Sequence, residues 1–327
     1  MRYRWPATAA WLAATLCATA AAAADGDAPT ATRPLRLLVP HQAGGGTDLL
    51  AQLLAPPLAR ALQQATLVQN IPGAGGAVAV STLLHEPADG KTLLVTASSH
   101  IVLAPLLNPA IGFASRDLQP VALLHRDSVS ILASTRGRVR SLSDLRTASP
   151  DDPPVRVGFM GIGSAGHLLA LRLQQDWGRS FIEVPYQGTA PALRDLAAHD
   201  LEALVLTTSS AAGRIADGTV LGLGVSDAQR RPCLPQVPTL REQGLPMVWE
   251  SWSGVLAPAG LPEATAQRLN RAVNQVLALP EVQQVLQRQC LQALPASPGA
   301  FDALLRTSVE QARAEVAPFL PRLAVRP

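Results

Sequence analysis

The residues best equipped for chemistry are glycines and hydroxyls rather than acids and bases. Gly44-Gly45-Gly46-Thr47-Asp48 follows the apolar run 35–39 and opens a stretch with helical spacing. A strand, a glycine loop and a helix start in that order present backbone N–H groups at the positive end of a helix dipole. Such a loop attracts an anion. The device recurs at Gly161-Ile162-Gly163-Ser164-Ala165-Gly166, after the apolar run 155–160. Ile71-Pro72-Gly73-Ala74-Gly75-Gly76, Ala97-Ser98-Ser99-His100 and Thr207-Thr208-Ser209-Ser210 end further expected strands. Ligands of open α/β sheets collect at the carboxyl ends of the strands.

Gly161 to Gly166 also reads as G-x-G-x-x-G, and Glu183 stands about 20 residues further on, where a dinucleotide-binding acid would sit. Against that reading, the match lies mid-chain with no convincing catalytic domain after it, and neighbouring loops repeat the same glycine device. Ser164 has Ile162 two residues before it, so there is no nucleophile elbow. The six histidines show no metal-binding spacing. His167 is expected to hydrogen-bond at a helix start, His41 to pack beneath the first loop, and Glu183 to be solvated or salt-bridged. No catalytic constellation emerges, and neither a cofactor nor a metal is called for.

The elements that must position these loops alternate strand and helix. Expected strands cover 35–39, 66–70, 92–96, 118–124, 129–133, 155–160, 181–184, 201–206, 220–225 and 252–256. Helices are expected over 48–62, with Pro56-Pro57 a local fault, over 77–84, 167–177 and 191–198, and in three amphipathic C-terminal segments, 262–279, 280–289 and 298–317. The βαβ alternation appears twice, which predicts two α/β lobes joined by two crossings.

At the N-terminus, a basic start with Arg2 and Arg4, a short apolar segment 7–16 and the alanine run 20–24 predict a cleaved secretory signal peptide over 1–24. Cys17 does not make a lipobox, because Leu16 stands where a small residue is needed. Roughly 300 residues then remain, enough for two lobes. Removing Arg2 and Arg4 takes the formal charge from +3 to +1. With no basic run and few aromatics, nucleic acid is not an expected partner. Export exposes Cys233 and Cys290 to an oxidising compartment. They could pair, but two unpaired, partly buried thiols is the favoured expectation.

Several short stretches, in this order, resemble the substrate-binding proteins of tripartite tricarboxylate transporters, also called Bug receptors. They are Leu38-Val39-Pro40 with Gly44 to Asp48, Asn70 with Pro72 to Gly76, Asp89 to Leu94, and Val184-Pro185-Tyr186-Gln187-Gly188. Arg230 with Leu234 to Leu240, and Leu256-Ala257-Pro258-Ala259-Gly260, complete the set. The resemblance implies a type II-like, two-lobe periplasmic binding protein, each lobe a mixed sheet flanked by helices, with two crossover hinge strands near Ile131 and Trp252. Lobe 1 would be 33–129 plus 253–327 and lobe 2 would be 130–252.

It further implies a monomeric receptor that closes on a small carboxylate for membrane transporter subunits or a sensor kinase. The carried-over ligand site is Gly45, Gly46, Thr47, Asp48, Ser98 and Ser99 on one lobe. Gly163, Ser164, Ala165 and His167 face them, with Tyr186, Thr207 and Thr208 around the rim. Asp48, which would repel a carboxylate, is assigned as a capping acceptor for its own helix. The chain departs from the family pattern at His41, Ile71, Leu206 and Ser253, positions expected to edge the cleft. An exported enzyme acting on a carboxylate or ester is the alternative class, and an NAD-linked oxidoreductase using Gly161–Gly166 a third.

Overall fold

Leu35, Leu37, Leu38 and Val39 are almost fully buried, so the strand they form, β1 (Leu35–Val39), has apolar matter on both faces. A computed structural model places it between two parallel neighbours, β2 (Thr66–Asn70) and β3 (Thr92–Ala97). Strands buried on both faces are expected where crossover helices cover the sheet. The described residues are 33–108, 110–147, 153–186 and 188–323. The expected signal peptide, Asp151-Asp152 and Gln187 lie outside them.

The remaining strands are β4 (Leu118–Ser134), β5 (Arg156–Phe159), β6 (Ile182–Pro185), β7 (Ala203–Thr207), β8 (Val220–Val225), β9 (Glu250–Pro258) and β10 (Gln292–Ala293). Their order is β2-β1-β3-β9-β4-β7-β5-β6, with β8 and β10 also paired to β4. The first half, β2-β1-β3-β9, carries one pair of apolar cores and the second half, β7-β5-β6 with β8, another. The architecture is the two-lobe α/β fold of periplasmic binding proteins.

β4 is the element that joins the halves. The sequence suggests two strands separated by the polar run His125-Arg126-Asp127-Ser128; the structure has one strand of 17 residues. Its first part pairs antiparallel with β9 from Leu118 to Ser128, and its second part with β7 and β8 from Val129 to Ser134. Partners on both sides supply ladder hydrogen bonds through the polar run, so the break that polarity suggests does not occur. Register shifts at Leu123/His125 and Ile131/Leu132 flank it. Bulges of this kind re-aim side chains next to sites.

Three further expectations are corrected. Pro56-Pro57 does not interrupt its helix, which runs unbroken over Gly46–Leu62. Ala51, Leu54, Ala55 and Leu58 bury both sides of the proline pair in the first core, and that packing outweighs the lost backbone bonds. The segment after β7, where the sequence suggests a polar strand end and no helix, is a helix, Thr208–Ala216. Its small polar start hides the period, and only Ala211, Ala212 and Ile215 are left to seat it. Cys233 and Cys290 form a disulfide, with Cα atoms 5.8 Å apart, instead of two free thiols.

Gly254 on β9 shows how tightly the first lobe closes. A Cβ there would overlap the ring of Phe301, which is fully buried and stands edge-on to Trp252 at 4.9 Å. Gly254→Ala is expected to destabilise the fold by about 1–3 kcal/mol through overpacking. A urea titration checks this, and an unchanged midpoint would mean that Phe301 has room to retreat.

Candidate functional site

Both glycine loops are braced the same way from behind. In the first, Gly44 has φ +86°, and its N–H donates to Asp48 Oδ2 at 2.8 Å. Asp48 Oδ1 accepts from Asn70 Nδ2 at 2.8 Å, and that amide also reaches the His41 carbonyl at 3.1 Å. The Gly44 N–H, then the Asn70 amide, hold the Asp48 carboxyl below the usual carboxylate range. In the second, Gly163 has φ +77°, and its N–H donates to His167 Nδ1 at 3.0 Å. His167 Nε2 then points its proton at Glu183 Oε2, 3.1 Å away, and the ring stacks on Phe159 at 4.3 Å. Each loop therefore donates a glycine N–H to a side chain four residues on, in the first turn of the helix.

That bracing uses loop N–H groups and not those of the first helical residues. The helix Gly46–Leu62 has Gly45 as its N-cap with no side-chain cap, whereas Ser164 caps Ala165–Trp177 by accepting the His167 N–H. The first N–H groups of a helix have no intrahelical acceptor. At both loops they lie beside one cleft of about 690 Å³, lined among others by Gly46, Thr47, Gly163, Ser164 and Ala165. The two lobes meet at its edge, where a Cβ on Gly163 would overlap Leu107. Among the described residues, neither lysine nor arginine lines the cleft.

Of the residues carried over from the resemblance, Gly46, Thr47, Ser99, Gly163, Ser164, Ala165 and Thr207 border the cleft. The others are not among its lining residues. Gly45 is the helix N-cap and Asp48 is 4 % exposed. Asp48 does not cap its own helix as expected; it binds the loop N–H of Gly44 because its side chain turns back under the loop. Ser98 Oγ accepts the Trp252 N–H at 3.4 Å. His167 is spent on Gly163 and Glu183. Tyr186 donates its hydroxyl to Asp195 at 2.6 Å, and burial followed by that carboxylate pushes its pKa up to about 12. Thr208 is fully buried against Ser128 and Ser130. Glu183 faces His167 and Gln174, so it is occupied in bracing the loop.

Sequence reasoning put His41 and Ser253 at the cleft edge but missed the rest of the far wall and floor. His41 and His100 line one side, edge to face at 4.7 Å. Burial, then the neighbouring His41, drives the His100 pKa down to about 3, and burial lowers that of His41 as well. His125, Asp127, Ser209, Ser251 and Ser253 form the floor. Of the positions where the family pattern is broken, His41, Leu206 and Ser253 do border the cleft, and Ile71 packs beside the core beneath it. The polar run inside β4 was the available signal for the floor.

Comparison with known proteins matches this geometry to a family. The model for the tripartite tricarboxylate transporter family receptor matches residues 50–314. Protein BugT of Bordetella pertussis is 33% identical over 266 residues, covering 80% of this chain and 81% of its own. MatC from Rhodopseudomonas palustris, solved with bound malate, superposes with a TM-score of 0.77 at 28% identity, covering 87% of this chain and 99% of its own. A second R. palustris protein, solved with adipate, gives 0.79 at 27% identity over 88% and 97%. With sequence match and fold in agreement, the chain belongs to the tripartite tricarboxylate transporter family receptors.

Proposed function

We propose that the protein is an exported receptor that captures a small carboxylate between its two lobes and performs no chemistry on it. The observation that carries this reading is the pair of helix starts beside one cleft with no lysine or arginine in its lining among the described residues. Backbone N–H groups at helix N-termini stabilise an anion without a buried Lys or Arg. Hydroxyls such as Thr47, Ser99 and Thr207 complete the shell, with water where they do not reach. The malate-bound and adipate-bound relatives support the same ligand class. The lobes are taken as 33–129 plus 253–327 and 130–252. They rock about β4 near Ile131 and β9 near Trp252. The receptor acts as a monomer, leaves the cell interior by a signal peptide over 1–24, and delivers to membrane transporter subunits or a sensor kinase.

Gly46→Leu tests the anion site directly. A Cβ at Gly46 meets nothing within 4 Å, so the variant folds while its side chain enters the cleft. Displacing two charge-assisted hydrogen bonds, at about 1.5–3 kcal/mol each, weakens binding by roughly a hundredfold or more. Refolded protein, freed of any carried ligand, is screened by thermal shift against organic acids, amino acids and NAD. A carboxylate that stabilises the wild type but not Gly46→Leu is the expected result. Stabilisation by NAD alone would sink the receptor reading.

A further inference from the structure

The floor of the cleft has a chemistry opposite to that of its glycine loops. Among the described residues that border the cleft, Asp127, 5 % exposed, is the one carboxylate, and none is a lysine or arginine. Its Oδ1 accepts the Ser128 N–H at 2.8 Å and the Ser209 N–H at 3.3 Å, and its Oδ2 accepts the Ser209 hydroxyl at 2.5 Å. A carboxylate offers about four lone-pair sites, so Oδ2, with one bonded donor, keeps acceptor capacity in a residue that borders the cleft. The cation behind it does not cancel its charge. Arg231 Nη2 stands 3.7 Å from Asp127 Oδ1, while its Nε binds both oxygens of Asp227 at 3.1 and 3.0 Å and its Nη1 the Cys290 carbonyl at 2.7 Å. One guanidinium facing two carboxylates leaves the cluster one charge negative.

His125, on the same strand and on the same floor, is 7 % exposed, and its Nδ1 has no hydrogen-bond partner in the protein. A buried polar atom left without a partner is costly, and native structures supply one from water or ligand. A floor with a spare carboxylate lone pair, net negative charge and an unpartnered imidazole nitrogen suits a donor that carries positive charge. It repels a second carboxylate.

We infer that the floor formed by Asp127 and His125 is a subsite for a protonated amine, so that the ligand is an amino acid held by its carboxylate at the glycine loops and by its ammonium group at Asp127. This rests on the receptor reading above and names the substrate class of that site. The structural role of Asp127, holding Ser209 in the first turn of the helix Thr208–Ala216, leaves room for the second one, because Oδ2 is only partly used.

The test compares matched skeletons by calorimetry on refolded wild type: alanine, lactate and propionate, then aspartate, malate and succinate, then the N-acetyl amino acids. In at least one skeleton the amino member is expected to bind about tenfold or more tighter than the unsubstituted acid. The hydroxy acid falls between them, and N-acetylation abolishes the gain. Asp127→Asn, checked for a native melting transition, is expected to lose about tenfold in affinity for the amino member and to gain affinity for the dicarboxylate, which reverses the order. Unsubstituted acids binding as tightly as their amino partners would overturn the inference, whether or not the variant folds. A folded Asp127→Asn that keeps the preference would overturn it too. Binding by no carboxylate of any kind removes the receptor reading itself and this subsite with it.

Discussion

Taking the unliganded protein from pH 7 to pH 4 is expected to cost about 3 kcal/mol of folding stability through His100 alone. The imidazole is buried at the end of β3, where it hydrogen-bonds Thr96 Oγ1 through Nδ1 at 3.0 Å and meets the edge of His41. Its pKa in the folded protein is about 3, against 6.5 when solvated. Above about pH 6.5 both states are neutral at this site, so the stability is fully present. As the pH falls further, the unfolded chain takes up a proton that the folded chain refuses, and stability drops by about 1.4 kcal/mol per pH unit until the folded pKa is reached. His41 and His125, both shifted down by burial, act in the same direction, and Asp48 joins them once the pH nears its unfolded value.

Urea midpoints measured at pH 7, 5.5 and 4 check the slope, with His100→Phe as the control. The variant gives up the Thr96 hydrogen bond at every pH, so it starts lower but falls less steeply. Parallel pH profiles for the two proteins would show that His100 titrates normally in the fold.

Replacing Cys233 and Cys290 together by serine is expected to lower stability by about 2–4 kcal/mol. The bridge closes a loop with a sequence separation of 57 residues, and the entropy it removes from the unfolded chain grows with loop length. It also ties the exposed segment after β8 to the end of the helix Pro280–Arg288. Cys290 has φ +58° there, and its carbonyl accepts from Arg231. The link therefore connects the second half of the sheet to the C-terminal helices of the first. Wild-type protein treated with thiol is expected to melt with the double-serine variant, and oxidised protein well above both. Identical melting with and without thiol would mean that the bridge does not form in solution.

Most of the elements, and both glycine loops, were legible in the residues alone. Runs such as Leu35–Val39 and Thr92–Ala97 ending in glycine or serine are local signals. They state strand, turn and helix start within a dozen residues, because turn residues and apolar period act at that range. Motif order then made the family legible. Only the tertiary structure decided which way the polar side chains of those loops face. Thr208 reads as a rim residue and Asp48 and His167 as residues that serve their own helix starts; in the fold each is spent on an N–H or hydroxyl of the protein, since an unpaired polar group inside the fold costs more than a contact to a ligand that comes and goes. The same holds for the floor. His125 and Asp127 read as a break between two strands, yet β9 pairs with β4 right through them, β10 pairs at His125 and Arg126, and β7 and β8 take over from Val129 and Ser130. Cys233 and Cys290 likewise meet only because the sheet order brings their segments together. Pairings across tens of residues leave no mark in a local pattern, because their energy belongs to the assembled sheet.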